Sequence, residues 1–256
     1  GVAAAMYAAC KATVKVGDGN EISLHEQTNY PFEETIRFTV NTPKAVSFPF
    51  YLRIPSWTEG ATIFVNGKKV AANPEAGQYA CINREWKDND QVEIQLPMQL
   101  SMRTWQVNKN SVSVDYGPLT MSLKIDEDYV KKDSRATAIG DSKWQEGADA
   151  SQWPTYEIYA KTPWNYALVL GKNEPLKDFK VVHKEWPADN FPFTVASTPI
   201  EVKAIGRKVP SWVIDQYDLC SELPEMDAPK GEKEEITLIP MGVARLRVSA
   251  FPNTRE

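Results

Sequence analysis

Three groups of neighbouring acidic residues are the first candidates for catalysis in this 256-residue chain: Glu33-Glu34, Asp126-Glu127-Asp128 and Glu232-Glu234-Glu235. Two carboxyl groups about 5–10 Å apart would suit hydrolysis of a glycosidic bond. One of the two must stay protonated, which requires an apolar surrounding. Each group lies in or beside turn-like sequence with other charges nearby, and adjacent strand residues point to opposite faces. We therefore interpret all three groups as solvated and predict no catalytic residue in this chain.

The sequence also offers few residues that could bind a metal or act as a nucleophile. The histidines are His25 and His183, and the cysteines Cys10, Cys81 and Cys220 lie far apart without a Cys-x-x-Cys spacing. A metal site needs several such ligands to converge, so we predict no metal and no cofactor in this segment. We expect three half-buried thiols. The sequence also has no Gly-x-Ser-x-Gly elbow and no phosphate-binding loop, which argues against a serine hydrolase and a nucleotide-dependent enzyme.

Tryptophan is the residue type that best suits a sugar ligand, because the apolar face of a sugar ring stacks on an indole. The chain has eight tryptophans. For any single one, burial in a β-sandwich core is the commoner role. The candidates for carbohydrate stacking are Trp105, Trp144, Trp153, Trp164 and Trp186.

Composition excludes two classes of partner. The net charge is −5 and the sequence pI is about 5.3. No basic block is long enough to neutralise many phosphates, so we expect no nucleic acid partner. No apolar run approaches the roughly 20 residues of a membrane helix, so we expect no membrane partner. The opening GVAAAMYAAC lacks a basic region and is strand-like, which we interpret as the start of a fragment rather than a signal peptide.

The elements that must position these residues are predicted to be strands. Apolar and polar residues alternate with a period of two, which places one face of each strand on a core. No stretch of a dozen residues shows a convincing 3.6-residue period, so we predict very little helix. Asn66-Gly67 is the strongest hairpin signal, because a type I′ turn needs positive φ at both central residues. Alternation is clearest at residues 13–16, 21–24, 35–40, 51–54, 91–96, 111–114, 119–125, 166–170, 199–204, 235–240 and 244–252.

Short strands separated by regular turns predict an all-β fold of two consecutive antiparallel β-sandwich domains, jelly-roll-like in arrangement. The spacing of the strands changes near residue 105. We therefore predict a first domain over residues 1–108 and a second over 109–256. The polar stretch near 126–165 interrupts the alternation and is predicted to be a long loop region of the second domain.

Several motifs occur in an order that resembles a known family. They are HEQTNYPFEETIRFTV, YLRIPSW, IFVNGKKV, INREWKDNDQVEIQLPM, VDYGPLTMSLKI, TPWNYALVL and LIPMGVARLRVSAFP. Together they resemble the part that follows the catalytic barrel in the β-L-arabinofuranosidase-like glycoside hydrolases, glycoside hydrolase family 127 and its relatives. The resemblance runs from Tyr7 to Pro252.

The resemblance implies a parent enzyme with an upstream (α/α)6 barrel followed by β-sandwich domains. In that family the barrel carries a cysteine nucleophile, zinc-binding cysteines and glutamate, and a glutamic acid/base. The cysteine cluster of the family is a Cys-Cys or Cys-x-Cys followed by prolines. Cys10 lies between Ala9 and Lys11 and does not match it. The resemblance therefore assigns no catalytic residue here and places zinc in the barrel, outside this chain.

Three functions are consistent with this sequence. The leading hypothesis is a non-catalytic C-terminal part of a bacterial glycoside hydrolase, inactive alone, which supports the upstream barrel of the same polypeptide and contributes to a homodimer interface. The resemblance implies a periplasmic or secreted parent. The alternative is a carbohydrate-binding module that uses exposed tryptophans. A purely structural, adhesin-like sandwich fits the strand pattern equally well, and the family resemblance alone argues against it.

Overall fold

The computed structural model describes residues 1–71, 74–137, 143–217 and 219–256. In these ranges the chain is almost entirely β, with one four-residue α-helix, α1 (Ser134–Thr137), which confirms the all-β prediction. No helix in these ranges is long and apolar enough to cross a membrane. The strands are β1 (Val2–Ala4), β2 (Cys10–Val16), β3 (Asn20–Thr28), β4 (Thr35–Asn41), β5 (Val46–Arg53), β6 (Thr62–Val65), β7 (Lys68–Lys69), β8 (Tyr79–Trp86), β9 (Asp90–Gln95), β10 (Leu100–Trp105), β11 (Ser111–Tyr116), β12 (Leu119–Leu123), β13 (Glu127–Lys132), β14 (Thr155–Ala160), β15 (Tyr166–Leu170), β16 (Lys180–His183), β17 (Ile200–Lys208), β18 (Lys233–Pro240) and β19 (Asn253–Arg255).

The chain divides into two compact units. Unit 1 consists of Gly1–Ser101 and Asp115–Leu119, and unit 2 of Met102–Val114 and Thr120–Glu256. The division into domains 1–108 and 109–256 that we infer from the sequence stays a prediction.

Unit 1 is a sandwich of two sheets around one core. One sheet has the order β1-β5-β8 and the other the order β2-β3-β4-β9-β6-β7. Core residues alternate along the strands, as β5 shows with Phe48, Phe50 and Leu52 buried between exposed or half-buried neighbours. Phe38 of β4 meets Phe50 edge-to-face, with ring centroids 5.3 Å apart, so the two sheets share one apolar interior. The alternation predicted from the sequence is the pattern that builds this core.

The predicted hairpin at Asn66-Gly67 is confirmed. These two residues connect β6 to β7 and have φ values of 49° and 74°. Positive φ at both central positions is what a type I′ turn requires, and Gly67 adopts it without the steric penalty of a Cβ. The Asn66 side chain also accepts a hydrogen bond from the amide of Gln91 at 2.8 Å, which ties the turn to the start of β9.

Unit 2 is built on a larger sheet with the strand order β10-β11-β12-β18-β17-β15-β19, and β16 pairs with β17. The long strand β17 is paired antiparallel with β18, while β15 and β16 pair with different segments of it. All five residues of β15 are buried, so this strand is covered on both faces. Continuous apolar sequence is typical of a strand covered in this way.

The polar stretch near 126–165, predicted as a loop region, contains more regular structure than expected. Strands β13 and β14 pair antiparallel over six residues, from Glu127 opposite Ala160 to Lys132 opposite Thr155. Most side chains of this two-stranded sheet are exposed or half-buried on both faces, so the sequence carries no alternation to reveal it. The part of the predicted loop at residues 138–142 lies outside the described residues.

The prediction of a strand over the closing run 244–252 is wrong for most of its length. Residues 244–250 form no strand, and only a single bridge at Phe251 and the short β19 follow. The backbone amides of Arg245 and Leu246 bind a carboxylate side chain, that of Glu127, instead of a strand partner. The alternation in this run therefore reflects which side chains face inward and does not indicate pairing with another strand.

Candidate ligand-binding groove

A groove with a volume of about 1040 Å³ opens on unit 2. Three segments distant in sequence form its walls: the end of β14 with the following loop (158–164), a segment that includes Trp212 and Leu223, and the run 246–250. This volume lies at the upper end of the range of small-molecule sites, roughly 300–1,000 Å³. The walls are largely apolar, which is also typical of such sites.

Two tryptophans form one corner of the groove. The rings of Trp164 and Trp212 meet edge-to-face, with centroids 5.0 Å apart and planes at 70°. Trp212 is buried, and its Nε1 donates a hydrogen bond to the carbonyl oxygen of Ser221 at 3.1 Å. Trp164 is half-buried and packs against the small apolar cluster that contains Trp212 and Val209. Edge-to-face packing of this kind fixes both ring orientations.

The loop that carries Trp164 is anchored by its neighbour Asn165. The Asn165 side-chain amide donates to the carbonyl oxygens of Val209 and Trp212, at 3.0 and 3.1 Å. The Val209 amide donates back to the carbonyl oxygen of Asn165 at 2.8 Å. Because these bonds join the loop to the Trp212 segment, the corner formed by the two indoles does not depend on a ligand for its shape.

The carboxylate of Glu127 holds the wall that the run 246–250 forms. Glu127 Oε1 accepts hydrogen bonds from the backbone amides of Arg245 and Leu246, at 3.0 and 3.2 Å. The Val248 amide donates to Ser122 Oγ at 3.0 Å, two residues beyond. Side chains thus satisfy the backbone donors of this run, and they position Leu246, Arg247 and Val248 along the groove.

We expect Glu127→Ala to loosen this wall and to lower the free energy of unfolding by about 1–3 kcal/mol, because two amide donors lose a charged acceptor. Urea unfolding would measure the loss, and hydrogen exchange should quicken at the amides of Arg245 and Leu246. Glu157→Ala is the matched control. Glu157 lies in the same two-stranded sheet but contacts Lys132 and Tyr159 through side chains alone, and its loss should cost clearly less stability than the loss of Glu127. Unchanged exchange at both amides would contradict the role assigned to Glu127.

The charged side chains of the groove are basic. Lys161 and Arg247 line it, and no aspartate or glutamate is among its described lining residues. Lys161 Nζ lies 3.3 Å from Asp128, which offsets part of its charge. Arg247 is exposed, and the hydrogen bond from its Nε to the carbonyl oxygen of Ala244 at 2.8 Å holds the start of the guanidinium group in place. Thr162, Ser221 and Ser249 are among the uncharged polar residues of the lining.

The five tryptophans predicted as sugar-stacking candidates lie in different surroundings, and Trp164 is the one of the five found among the described lining residues of this groove. Trp105 is 40% exposed, with its Nε1 bonded to Ser113 Oγ at 2.8 Å and Arg103 over its ring. Trp153 is the most exposed, at 68%. Trp144 and Trp186 are half-buried, and Trp186 Nε1 donates to Asn190 Oδ1 at 2.7 Å. Their role in stacking stays a prediction.

The acidic groups interpreted as solvated are engaged in local structure. Glu34 accepts the amide of Met98 at 2.7 Å, and Glu234 lies 3.1 Å from Lys208. The described residues contain no group of three or more His, Cys, Asp or Glu side chains placed to hold a metal ion. The expectation of half-buried thiols is wrong, because Cys10, Cys81 and Cys220 are all exposed.

One carboxylate outside these acidic groups is unusual. Glu26 of β3 is 5% exposed, and burial raises its pKa to about 7. Its Oε1 accepts the amide of Ala8 at 3.0 Å, and Oε2 lies 3.7 Å from Cys10 Sγ. The signal for it is present in the sequence, because Glu26 continues the inward-facing series Ile22, Leu24. An amide and a thiol do not replace the second carboxyl group that glycoside hydrolysis requires, so Glu26 is not a candidate for that reaction.

Comparison with known proteins agrees with this architecture. Residues 1–98 match the family model described as beta-L-arabinofuranosidase, GH127 middle domain. The match confirms the family resemblance for this part of the chain. No curated protein sequence matches the chain significantly.

Solved structures extend the likeness in fold to nearly the whole chain. A GH127 beta-L-arabinofuranosidase from Geobacillus stearothermophilus T6 matches with a TM-score of 0.61 at 22% identity, over 98% of this chain and 33% of its own. A protein described as a glycoside hydrolase matches with a TM-score of 0.62 at 23% identity, over 99% and 36%. A second GH127 beta-arabinofuranosidase gives 0.61 at 19%, over 98% and 34%. The chain thus spans about a third of the length of these structures, and the similarity to them is one of fold.

Proposed function

We propose that this chain is a non-catalytic β-sandwich part of a glycoside hydrolase of the arabinofuranosidase-like type. The observation that carries the proposal is the match of residues 1–98 to the GH127 middle domain in a chain that spans about a third of its solved relatives. The chemistry belongs to the rest of the parent polypeptide in this proposal. The chain supports that catalytic barrel, and the same scaffold contributes to a homodimer in a periplasmic or secreted enzyme.

An outward aromatic pair on unit 1 supports a role as scaffold. Tyr51 of β5 and Tyr79 of β8 lie on the outer face of the three-stranded sheet, where Tyr51 is opposite Cys81 and Tyr79 opposite Arg53. The two tyrosines are diagonal neighbours across the strand pair and both are exposed. In this proposal the pair belongs to a face that another domain of the parent covers.

The zinc that the resemblance places in the barrel does not fit the residues of this chain. Its three cysteines are separate, exposed and on different elements, and the described residues show no metal-ligand cluster. We therefore assign no step of the reaction to zinc bound by this chain. Its contribution to the parent enzyme is the packing and orientation of structure.

We expect no turnover of aryl arabinofuranosides by this chain, with or without added zinc, and turnover by the full-length parent under the same conditions. The physical reason is that Glu26, the carboxyl group whose pKa burial raises, contacts an amide and a thiol and not a second carboxyl group. Release of the aryl alcohol, measured side by side across a panel of aryl glycosides, tests this. Turnover by the chain alone, retained after a second purification, would place the chemistry here and defeat the proposal.

A carbohydrate-binding role is a second candidate function. The observation that favours it is the position of Trp164, one of the predicted stacking residues, in the wall of the large groove of unit 2. Binding would be compatible with the scaffold role, because a non-catalytic part of a hydrolase can hold a polysaccharide near the catalytic site.

A further inference from the structure

We propose that the groove of unit 2 binds an acidic oligosaccharide, with one sugar ring against the Trp164 indole and a sugar carboxylate at the Arg247 guanidinium. The proposal deepens the second candidate function and rests on it. It adds a ligand class and two residues with distinct roles.

The tryptophan corner fits a sugar ring better than it fits a purely apolar ligand. Trp164 and Trp212 stand at 70° to each other, so the half-buried Trp164 supplies a flat ring surface whose orientation the buried Trp212 holds in place. The C–H face of a sugar ring is apolar and flat, while its edge carries hydroxyl groups. Thr162, Ser221 and Ser249 lie around the same groove and supply hydroxyl partners for that edge. An aromatic surface with polar groups at its border is the combination that a sugar ring requires.

The charge of the lining selects among sugars. Arg247 and Lys161 are its charged side chains, and the described lining contains no acidic residue. Asp128 offsets part of the charge of Lys161, which leaves Arg247 as the principal cation of the lining. A guanidinium group binds a carboxylate through two parallel N–H···O bonds, and a uronic acid carries such a carboxylate on its ring. A neutral sugar would leave this interaction unused.

The walls are fixed before any ligand enters. Asn165 bonds the Trp164 loop to the Trp212 segment, and Glu127 bonds the Arg247 run. The Asp126 amide donates to Thr162 Oγ1 at 2.9 Å, which also fixes the entrance to the Trp164 loop. A preformed site avoids much of the ordering cost of binding. The groove is therefore suited to bind a short oligosaccharide directly.

The test is isothermal titration of the chain with a trimer of galacturonic acid and, as the neutral counterpart, a trimer of arabinose. We expect the acidic trimer to bind with a dissociation constant below about 1 mM, and the neutral one to bind about tenfold more weakly. Raising the salt concentration from about 0.05 to 0.5 M should weaken binding of the acidic trimer and leave the neutral one little changed.

Two pairs of variants separate the two roles. Arg247→Gln should reduce affinity for the acidic trimer about tenfold and abolish the salt dependence, while Arg245→Gln, an exposed arginine outside the groove lining, should change neither. Trp164→Ala should reduce binding of both sugars about tenfold or more, while Trp153→Ala removes a more exposed tryptophan outside the groove and should leave binding unchanged. Thermal melting of each variant establishes that it is folded, and Trp164→Phe replaces Trp164→Ala if the latter is not.

The outcomes distinguish the ligand class from the binding role. Equal affinity for the acidic and neutral trimers, unaffected by Arg247→Gln, would overturn the acidic ligand and leave carbohydrate binding intact. Absence of heat with both trimers at millimolar concentration would overturn the groove as a sugar site and the second candidate function with it. Neither result bears on the scaffold role, which the turnover assay tests separately.

Discussion

Trp86→Ala should lower the free energy of unfolding of unit 1 by about 3–5 kcal/mol, the range found when large aromatic side chains are removed from cores. Trp86 ends β8 and is 0% exposed. Its ring packs against Phe48 and Phe50, with centroids 5.6 and 6.1 Å away, and its Nε1 donates to the carbonyl oxygen of Phe48 at 2.9 Å. Truncation to alanine removes these contacts, leaves a cavity and leaves a buried carbonyl without its partner.

Urea unfolding followed by circular dichroism measures this loss. Trp86→Phe keeps one aromatic ring in the core and loses the hydrogen bond with a smaller part of the packing, so its cost should be lower, about 1–3 kcal/mol. Trp153→Ala is the control for removal of a tryptophan as such, and it should change stability by about 0.5 kcal/mol or less because Trp153 is exposed. A loss below about 1.5 kcal/mol for Trp86→Ala would show that the sandwich core is less closely packed than the structure describes.

The strands that enclose this core could be predicted because one face of each is buried and the other meets water. In β4, the run Thr35-Ile36-Arg37-Phe38-Thr39-Val40 alternates in sequence, and the structure buries Ile36, Phe38 and Val40. The family resemblance followed from the same strands, because motifs such as YLRIPSW and IFVNGKKV contain a core strand together with the turn beside it. Both inferences use short-range patterns, which a single sequence displays.

Two parts of the chain could not be predicted in this way, for opposite reasons. Strands β13 and β14 have no core behind them, so their pairing leaves no period of two in the sequence. The run 244–250 has the alternation but no ladder, because Glu127 and Ser122, more than a hundred residues earlier, supply the acceptors for its amides. In both cases the deciding partners are absent from the local sequence.

The groove could not be predicted from the sequence because its walls come together only in the folded unit. Trp164 is one of several candidate tryptophans, and nothing in its sequence neighbourhood distinguishes it from Trp153 or Trp186. The Trp212 segment and the Arg247 run, which complete the lining, lie about 50 and 80 residues further along the chain. Arg247 and Arg245 look alike in sequence, and the fold alone places Arg247 in the lining.

Glu26→Gln should remove a pH-dependent loss of stability from unit 1, which is the second large effect that we expect. Burial raises the pKa of Glu26 from its ordinary 4.5 to about 7, although the Ala8 amide and the Cys10 thiol act in the opposite direction. Between about pH 4.5 and 7, the folded protein therefore keeps a proton on Glu26 that the unfolded chain has released. The contribution of Glu26 to stability is fully present below pH 4.5 and is lost as the pH rises through 7.

The size of this effect follows from the difference between the pKa of Glu26 in the folded protein and its pKa in the unfolded chain. Each tenfold change in the acid dissociation constant corresponds to about 1.4 kcal/mol, so we expect the wild type to lose about 1–3 kcal/mol relative to Glu26→Gln between pH 4.5 and pH 8. Glutamine stays neutral and keeps an oxygen to accept the amide hydrogen of Ala8. Above pH 7 the variant should therefore be the more stable protein, although it has lost a native side chain.

Urea unfolding of both proteins at pH 4.5, 6 and 8 gives the difference curve that tests this expectation. Other carboxylates are common to both proteins and titrate at more acidic pH. In Glu201, for example, desolvation raises the pKa, but hydrogen bonds from Lys124 and Lys184 outweigh it and lower the pKa below its ordinary value. Glu21→Gln, an exposed position on the same strand, controls for removal of one negative charge. A difference between wild type and Glu26→Gln that stays constant from pH 4.5 to 8 would show that the Glu26 carboxylate is solvated, and that Ala8 and Cys10 do not enclose it.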